Sequence, residues 1–361
     1  MTPVKWVYSF LKKYKGKMVA GLLMTTGIAL LTIVNPFISG IIVDSVIGEG
    51  KRELLPIMIA CLLGVTAVKG ILRYSSQVMF EICSQGVLFS MRDEVYKKLL
   101  HEDFAFYNKN RTGDLMSRQT GDMDAIRHFI AFVIYCVYEN ALLLVFALVM
   151  IFTVNVKLAF CMLAVLPFTA MTTYCQSKQV HPAFRNIRQH FSSLNTFVQE
   201  NISGNRVVKA FAKEDYEMEK FHKENDGYRE AELKASAIWM KYVPIYEFLS
   251  HALTVILMLY GGYMVIQGEI TMGNLVTVNG YLWMLTVPLR FAGWWINDIH
   301  RFITSAEKIY ATYSTEPDIK RPSRPVERKH FAGEVSFENV SYQADDADII
   351  SDISFKVKAG Q

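Results

Sequence analysis

The sequence predicts an all-α membrane protein with six transmembrane helices and long cytoplasmic helical extensions, followed by a short β fragment. Three observations point there. Apolar stretches of bilayer length recur six times, the connecting segments alternate between long, basic ones and short, nearly uncharged ones, and near residue 316 the helical period gives way to strand-like alternation. Hydrophobic residues make up 52% of the 361 residues and the formal net charge is only +4, so the placement of charge carries more information than its sum.

A helix needs about 20 mostly apolar residues to cross a bilayer core. The candidate spans are roughly 18–43, 55–80, 129–154, 157–176, 242–266 and 273–297. The second and sixth contain charged residues and are the weakest matches. Before the first span stand five lysines, Lys5, Lys12, Lys13, Lys15 and Lys17, the first three of them mixed in Pro3–Tyr14 with Trp6, Val7, Phe10 and Leu11. That mixture predicts an interfacial helix over residues 1–17 and not a cleaved leader. The five cysteines lie in or beside apolar segments with no CxxC spacing, so disulfide staples and metal sites are not expected.

The segment between spans two and three carries Arg92, Lys97, Lys98, Lys109, Arg111, Arg118 and Arg127, and that from Lys178 to Lys241 carries eleven Lys or Arg. The connection at 267–272 has no basic residue, and the turn at 155–156 is two residues long. The positive-inside rule then predicts that both termini and both long loops are cytoplasmic. These loops are expected to be folded. Leu88, Met91, Val95 and Leu99 recur at helical spacing, the pattern breaks at Asn108–Asn110, and it resumes from Leu115. Phe191, Leu194, Phe197 and Val198 repeat the plan before a break at Ser203–Gly204 and a short helix at Val207–Tyr216. The result is two amphipathic helical hairpins, each reaching ~30 Å beyond the membrane at ~1.5 Å per residue.

The residues at the two tips resemble a known family. Phe106–Arg127 (FYNKNRTGDLMSRQTGDMDAIR) looks like the first intracellular loop of ABC exporters, FFD…TGDLxSRxxNDxxxI, and Gln199–Asp215 (QENISGNRVVKAFAKED) resembles their second, E-x-x-x-G-x-x-x-V-K-x-F-x-x-E. The resemblance implies the type 1 exporter transmembrane domain (18–315), a linker (316–332) and the start of a nucleotide-binding domain (333–361). It also implies a half-transporter that pairs with a second half-transporter, homo- or heterodimeric, in the plasma membrane. By the same resemblance, coupling helices that seat on ATP-binding domains fall on Gly113, Asp114, Leu115, Met116, Ser117 and Arg118, and on Val208, Lys209, Ala210, Phe211, Ala212, Lys213, Glu214 and Asp215. Thr112 or Asp114 suits the role of helix cap, and Phe211 that of an apolar knob.

Glu316–Arg328 holds three prolines among charges and reads as a linker. Gly333–Tyr342 and Ile353–Val357 then alternate as two strands around a short acidic loop. They resemble the opening of an ABC ATPase domain, in which an aromatic residue stacks on adenine. Here the usual stacking position is Ala344, so Tyr342 is the candidate, with packing in the sheet as its alternative. The family's cofactors, ATP and Mg2+, are expected in the complete protein. No G-x-x-x-x-G-K-S/T phosphate loop stands in this sequence, which is read as a truncated form unable to hydrolyse ATP.

Ionisable residues inside spans mark candidate functional sites. Glu139, Glu247, His251 and Arg290 are candidates to line a central substrate cavity. The alternative is internal pairing of Glu139 or Glu247 with Arg290. Tyr242, Tyr246, Phe248, Trp283, Phe291, Trp294 and Trp295 supply aromatic surface for amphipathic or cationic cargo, or for packing. Gly261, Gly262 and Gly280 permit close helix approach, and Pro36 and Pro167 permit bends. The function expected is ATP-driven export of a small hydrophobic or amphipathic substrate, drug or lipid, with membrane lipid as a partner and no nucleic acid. A nucleotide-independent transporter or channel would also account for six spans, though not for the hairpins. A membrane-anchored interaction protein would follow if the short form is the whole product.

Overall fold

A computed structural model describes residues 2–317, 330–344 and 347–361. The chain forms two units, Met1–His101 with Lys109–Thr315, and Glu102–Asn108 with Glu316–Gln361.

The first unit is made of six long rods. α1 (Pro3–Leu11) passes through one 3₁₀ turn into α2 (Lys15–Ile41), which continues into a π-turn at Ile42–Gly48. α3 (Leu54–Leu99) has 46 residues, about 69 Å at ~1.5 Å per residue, and so extends well past a ~30 Å hydrocarbon core. α5 (Thr112–Ser117), α6 (Met123–His128) and α7 (Ile134–Val154) join through π-turns into the third rod. α8 (Val156–Leu163) and α9 (Leu166–Ser203) make the fourth, α11 (Glu214–Ile256) and α12 (Gly262–Ile266) the fifth, and α13 (Met272–Ser314) the sixth. The short α10 (Asn205–Ala210) lies between the fourth and fifth.

Among the described residues, five rods are long and apolar enough to cross a membrane, and α13 is not one of them. Its environment explains why. α13 packs against α2, α7, α9 and α11, and Thr277, Tyr281 and Ser305 on it are buried. A helix face packed on other helices can carry polar groups that a lipid-facing one cannot.

Local chemistry sets the joints. Asn155 is extended, and its side chain accepts from the backbone N–H groups of Lys157 and Leu158 at 2.9 and 3.2 Å, capping α8. The fourth rod breaks at Ala164–Val165, and Pro167 stands in the first turn of α9, where its missing N–H costs no helix bond. Pro36 instead lies inside continuous α2. Here the seam with α13 is close. A Cβ on Gly280 would meet the Pro36 ring, one on Gly40 would meet the Thr277 hydroxyl, and one on Gly273 would meet the Gly40 carbonyl and Asp44. The Asp44 carboxylate accepts from the Gly273 N–H (2.7 Å) and the Thr271 hydroxyl (2.5 Å) at the start of α13. Of the three glycines expected to allow close approach, Gly280 does so, whereas Gly262 faces open space.

Two expected features gain detail. The N-terminal helix forms, but Trp6 and Val7 are buried, and the Trp6 ring lies 4.9 Å from that of Tyr313. Part of its apolar surface therefore packs on the bundle, while Val4 and Tyr8 stay exposed. At the first tip the helix is interrupted at Asn110–Arg111, as expected, and also after Leu99, where α3 ends.

In the second unit, α4 (Phe104–Lys109) opens with the Asp103 carboxylate accepting from the Phe106 N–H at 2.9 Å. β1 (Val335–Ala344) and β2 (Ala347–Val357) pair antiparallel, with Phe337 opposite Phe355 and their rings stacked at 4.7 Å. Both expected strands are present, the second longer than predicted. Residues 318–329, most of the expected linker, and the acidic pair Asp345–Asp346 lie outside the described residues.

Candidate functional site

The two tips differ in construction. At the first, Gly113–Arg118 is not a separate helix but the opening of the third rod. Arg111 holds the cap position without a side-chain bond, and Thr112 and Asp114 fall in the first turn. Neither is therefore the cap that the sequence suggested, although Asp114 complements the helix dipole. Leu115 is buried, while Gly113, Asp114, Met116 and Ser117 are exposed. Side-chain bonds tie this tip to α13. Arg118 donates to the Thr312 hydroxyl at 2.5 Å, and the Ser305 hydroxyl donates to Asp122 at 2.9 Å.

At the second tip, the break at Ser203–Gly204 is where the sequence placed it. The helix expected over Val207–Tyr216 is two pieces. α10 ends at Ala210, Ala212 takes a positive φ of 49°, and α11 starts at Glu214. The left-handed conformation costs a residue bearing a Cβ about 1 kcal/mol. It is offset locally by three acidic residues, Glu214, Asp215 and Glu217, at the positive end of α11. Val208–Asp215 thus spans a kinked junction. Phe211 stands out of it 72% exposed, and Lys209 pairs with Glu214 at 2.9 Å. The Lys209 bond holds the Glu214 carboxyl below its ordinary value. The run of acids after Lys213 is a helix-start signal that was available in the sequence.

The four intramembrane candidates do not come together. Glu139 is buried and bound by Arg73 of α3 through two bonds, Nη1 to Oε2 at 2.7 Å and Nη2 to Oε1 at 2.5 Å. Arg290 was the partner considered from sequence, and Arg73 takes that place. Glu247 and His251 share an exposed face of α11. Among the described residues neither forms an ion pair. Arg290 lies over the Phe291 ring at 5.2 Å and lines a cavity with Gln176, His181, Trp239, Trp294 and Asp298. That cavity does not include Glu139, Glu247 or His251.

Sequence reasoning missed Gln176 and Gln179, whose amides bond the hydroxyls of Tyr246 (2.9 Å) and Tyr242 (2.7 Å). Polar residues at 176 and 179 facing an aromatic pair on α11 were the available signal. Tyr342 is 57% exposed on β1.

Residues 18–289 match the family model for the ABC transporter transmembrane region. The chain is 33% identical to an uncharacterized ABC transporter ATP-binding protein, YknU, of Bacillus subtilis, over 99% of this chain and 60% of that protein. It is 27% identical to an ATP-dependent lipid A-core flippase of Syntrophus aciditrophicus, over 95% of this chain and 56% of that one. It is 28% identical to the multidrug resistance-like ATP-binding protein MdlA of Buchnera aphidicola, over 99% and 62%. The chain thus spans about 60% of the length of these relatives. With a matching family model over most of its length, mostly helical architecture and five membrane-crossing helices, this integral membrane protein belongs to the ABC transporter family as an exporter-type transmembrane domain.

Proposed function

We propose that the chain is the membrane-embedded part of an ATP-driven exporter subunit that moves a hydrophobic or amphipathic substrate by alternating access. The observation that carries this is the pair of hairpins. Their rods run well beyond bilayer length, and the second ends in a kinked tip with Phe211 exposed. A rigid rod transmits displacement, and an apolar knob rimmed by Lys209, Lys213, Glu214 and Asp215 suits docking into a groove of another domain. The ATP-binding domains would grip both tips, at Gly113–Arg118 and Val208–Asp215, and their approach would tilt the rods. Tyr342 in the C-terminal strand pair would contribute a stacking surface. Relatives named for multidrug resistance and lipid A-core flipping support a drug or lipid as cargo.

A second half-transporter, identical or related, completes the assembly in this reading, and both termini face the cytoplasm of a cell bounded by the plasma membrane. The half-buried stripe on α9 and α11 favours such a partner. The test uses the complete protein in vesicles. Phe211→Asp is expected to lower substrate transport at least tenfold while ATP hydrolysis persists, because a buried charge without a partner disrupts the seat. Undiminished, ATP-linked transport in that variant would remove the second tip from the coupling path.

A further inference from the structure

The cavity walled by α9, α11 and α13 has a volume of about 240 Å3, and one of its walls holds an unspent polar group. Gln176 is 7% exposed. Its Oε1 accepts from the Tyr246 hydroxyl at 2.9 Å, and its Nε2 has no partner among the described residues. A buried amide group left unpaired is costly, so an acceptor reaching it would be held well. The charge on the same wall favours an acceptor that is also an anion. Arg290 lines the same cavity, rests on the Phe291 ring and makes no ion pair among the described residues. The acidic member of the wall, Asp298, has the His128 ring 3.7 Å away, an ion pair only when that histidine is protonated, so the anionic guest is assigned to the Arg290 and Gln176 end of the cavity. A cationic guest would therefore meet an uncompensated guanidinium, whereas an anion would satisfy it. Trp239 and Trp294, at right angles with centroids 6.3 Å apart, supply an apolar surface beside these donors.

We infer that this cavity, built by a single chain, binds the anionic head of an amphiphile, a carboxylate or phosphate held by Arg290 and Gln176, with its alkyl part against Trp239 and Trp294. The role of such a site as a cargo subsite rests on the exporter reading, but the binding itself does not.

The test uses the complete protein in nanodiscs of phosphatidylcholine and matched dodecyl probes carrying a diazirine: a carboxylate, a phosphate, an alcohol and a trimethylammonium. Labelling of peptides containing Trp239 and Trp294 is read by mass spectrometry. The carboxylate and phosphate are expected to label at least tenfold more strongly than the alcohol or ammonium, since hydrogen bonds to charged groups are the strong ones. Arg290→Gln should remove that advantage while leaving alcohol labelling unchanged, Arg290→Lys should retain most of it, and Gln176→Leu should reduce it several-fold. Ammonium labelling equal to or above carboxylate labelling would overturn the inference, as would an Arg290→Gln protein that labels like the parent. Competition by acetate or inorganic phosphate as effective as that by the alkyl forms would also overturn it, because the site would then be one for small anions. ATP-driven transport is measured alongside. Transport lost with anionic labelling intact would count against the exporter reading alone, and absent anionic labelling would count against this site alone.

Discussion

The two hairpins carry the same apolar period and bury it differently. On α3, Leu88, Met91 and Val95 are 8%, 0% and 1% exposed, covered by Met123, Ile126 and Ile130 of the returning rod and by Phe302 and Ala306 of α13. On α9, Phe191 is 49% exposed, Leu194, Phe197 and Val198 are half-buried, and the core shared with α11 beyond the main bundle consists of Ile187, Ala231 and Ala235. Helical spacing reports that a face is apolar, but not what covers it. The first hairpin is closed by its own chain. The second presents its stripe outward, in keeping with the partner subunit proposed above.

Substitutions at matched places sharpen this contrast. The largest effect is expected at the buried charge of the first hairpin. Glu139→Leu should destabilise the protein by about 3 kcal/mol, the lower end for a broken buried pair because the Arg73 end is 38% exposed. Adding Arg73→Leu should recover much of the loss. The counterpart on the second hairpin, Glu247→Leu, should change thermal stability by less than about 0.5 kcal/mol, as for an exposed residue away from any network. Equal costs at the two sites, by thermal unfolding in detergent, would erase the distinction.

Packing gives the next contrast. Met123→Ala removes a side chain that is 0% exposed and should cost about 3 kcal/mol by transfer and cavity terms. Phe191→Ala should cost under about 1 kcal/mol in the separated subunit and should weaken subunit association instead. Cross-linking yield at a fixed protein concentration separates the two effects.

The smallest effect concerns the second tip alone. The Glu214 carboxyl is held below its ordinary value of 4.5 by its bond with Lys209. A carboxyl with a depressed folded pKa contributes stability that is present above the unfolded value and lost as pH falls through the folded one. Protection of the amides of residues 209–215, corrected for their intrinsic exchange rates, should therefore fall below about pH 4.5. In Glu214→Gln that pH dependence should vanish, and exchange at neutral pH should rise slightly. A parent protein whose tip protection ignores pH in this range would show that the Lys209 bond does not hold the junction.

Much of the fold was legible in the sequence. Apolar length located the rods, loop charge separated long tips from short turns, and Gly204 and Pro167 marked breaks that the structure keeps. The remainder depended on partners distant in sequence. The Arg73–Glu139 pair joins residues 66 positions apart, and no spacing rule selects Arg73 over Arg290. The polar residues of α13 made it one of the two weakest spans by composition, yet it packs against α2, α3, α7, α9 and α11. Gly40 and Gly273 matter because two helices meet there, which neither helix reveals alone. At the second tip, Ala212 in the left-handed region carried no glycine or asparagine signal, so one helix was expected where two stand.

Coupling to ATP requires both tips to lie on one side of the membrane, the side where nucleotide is available. The direct measurement is labelling by a membrane-impermeant maleimide of single cysteines placed at Gly113 and at Gly204, in the complete protein with Cys61, Cys83, Cys136, Cys161 and Cys175 replaced. Both positions should react in inside-out vesicles and stay unreactive in intact cells. Reaction of either position from outside intact cells would contradict the shared cytoplasmic placement of the tips and, with it, their engagement by an ATP-driven engine.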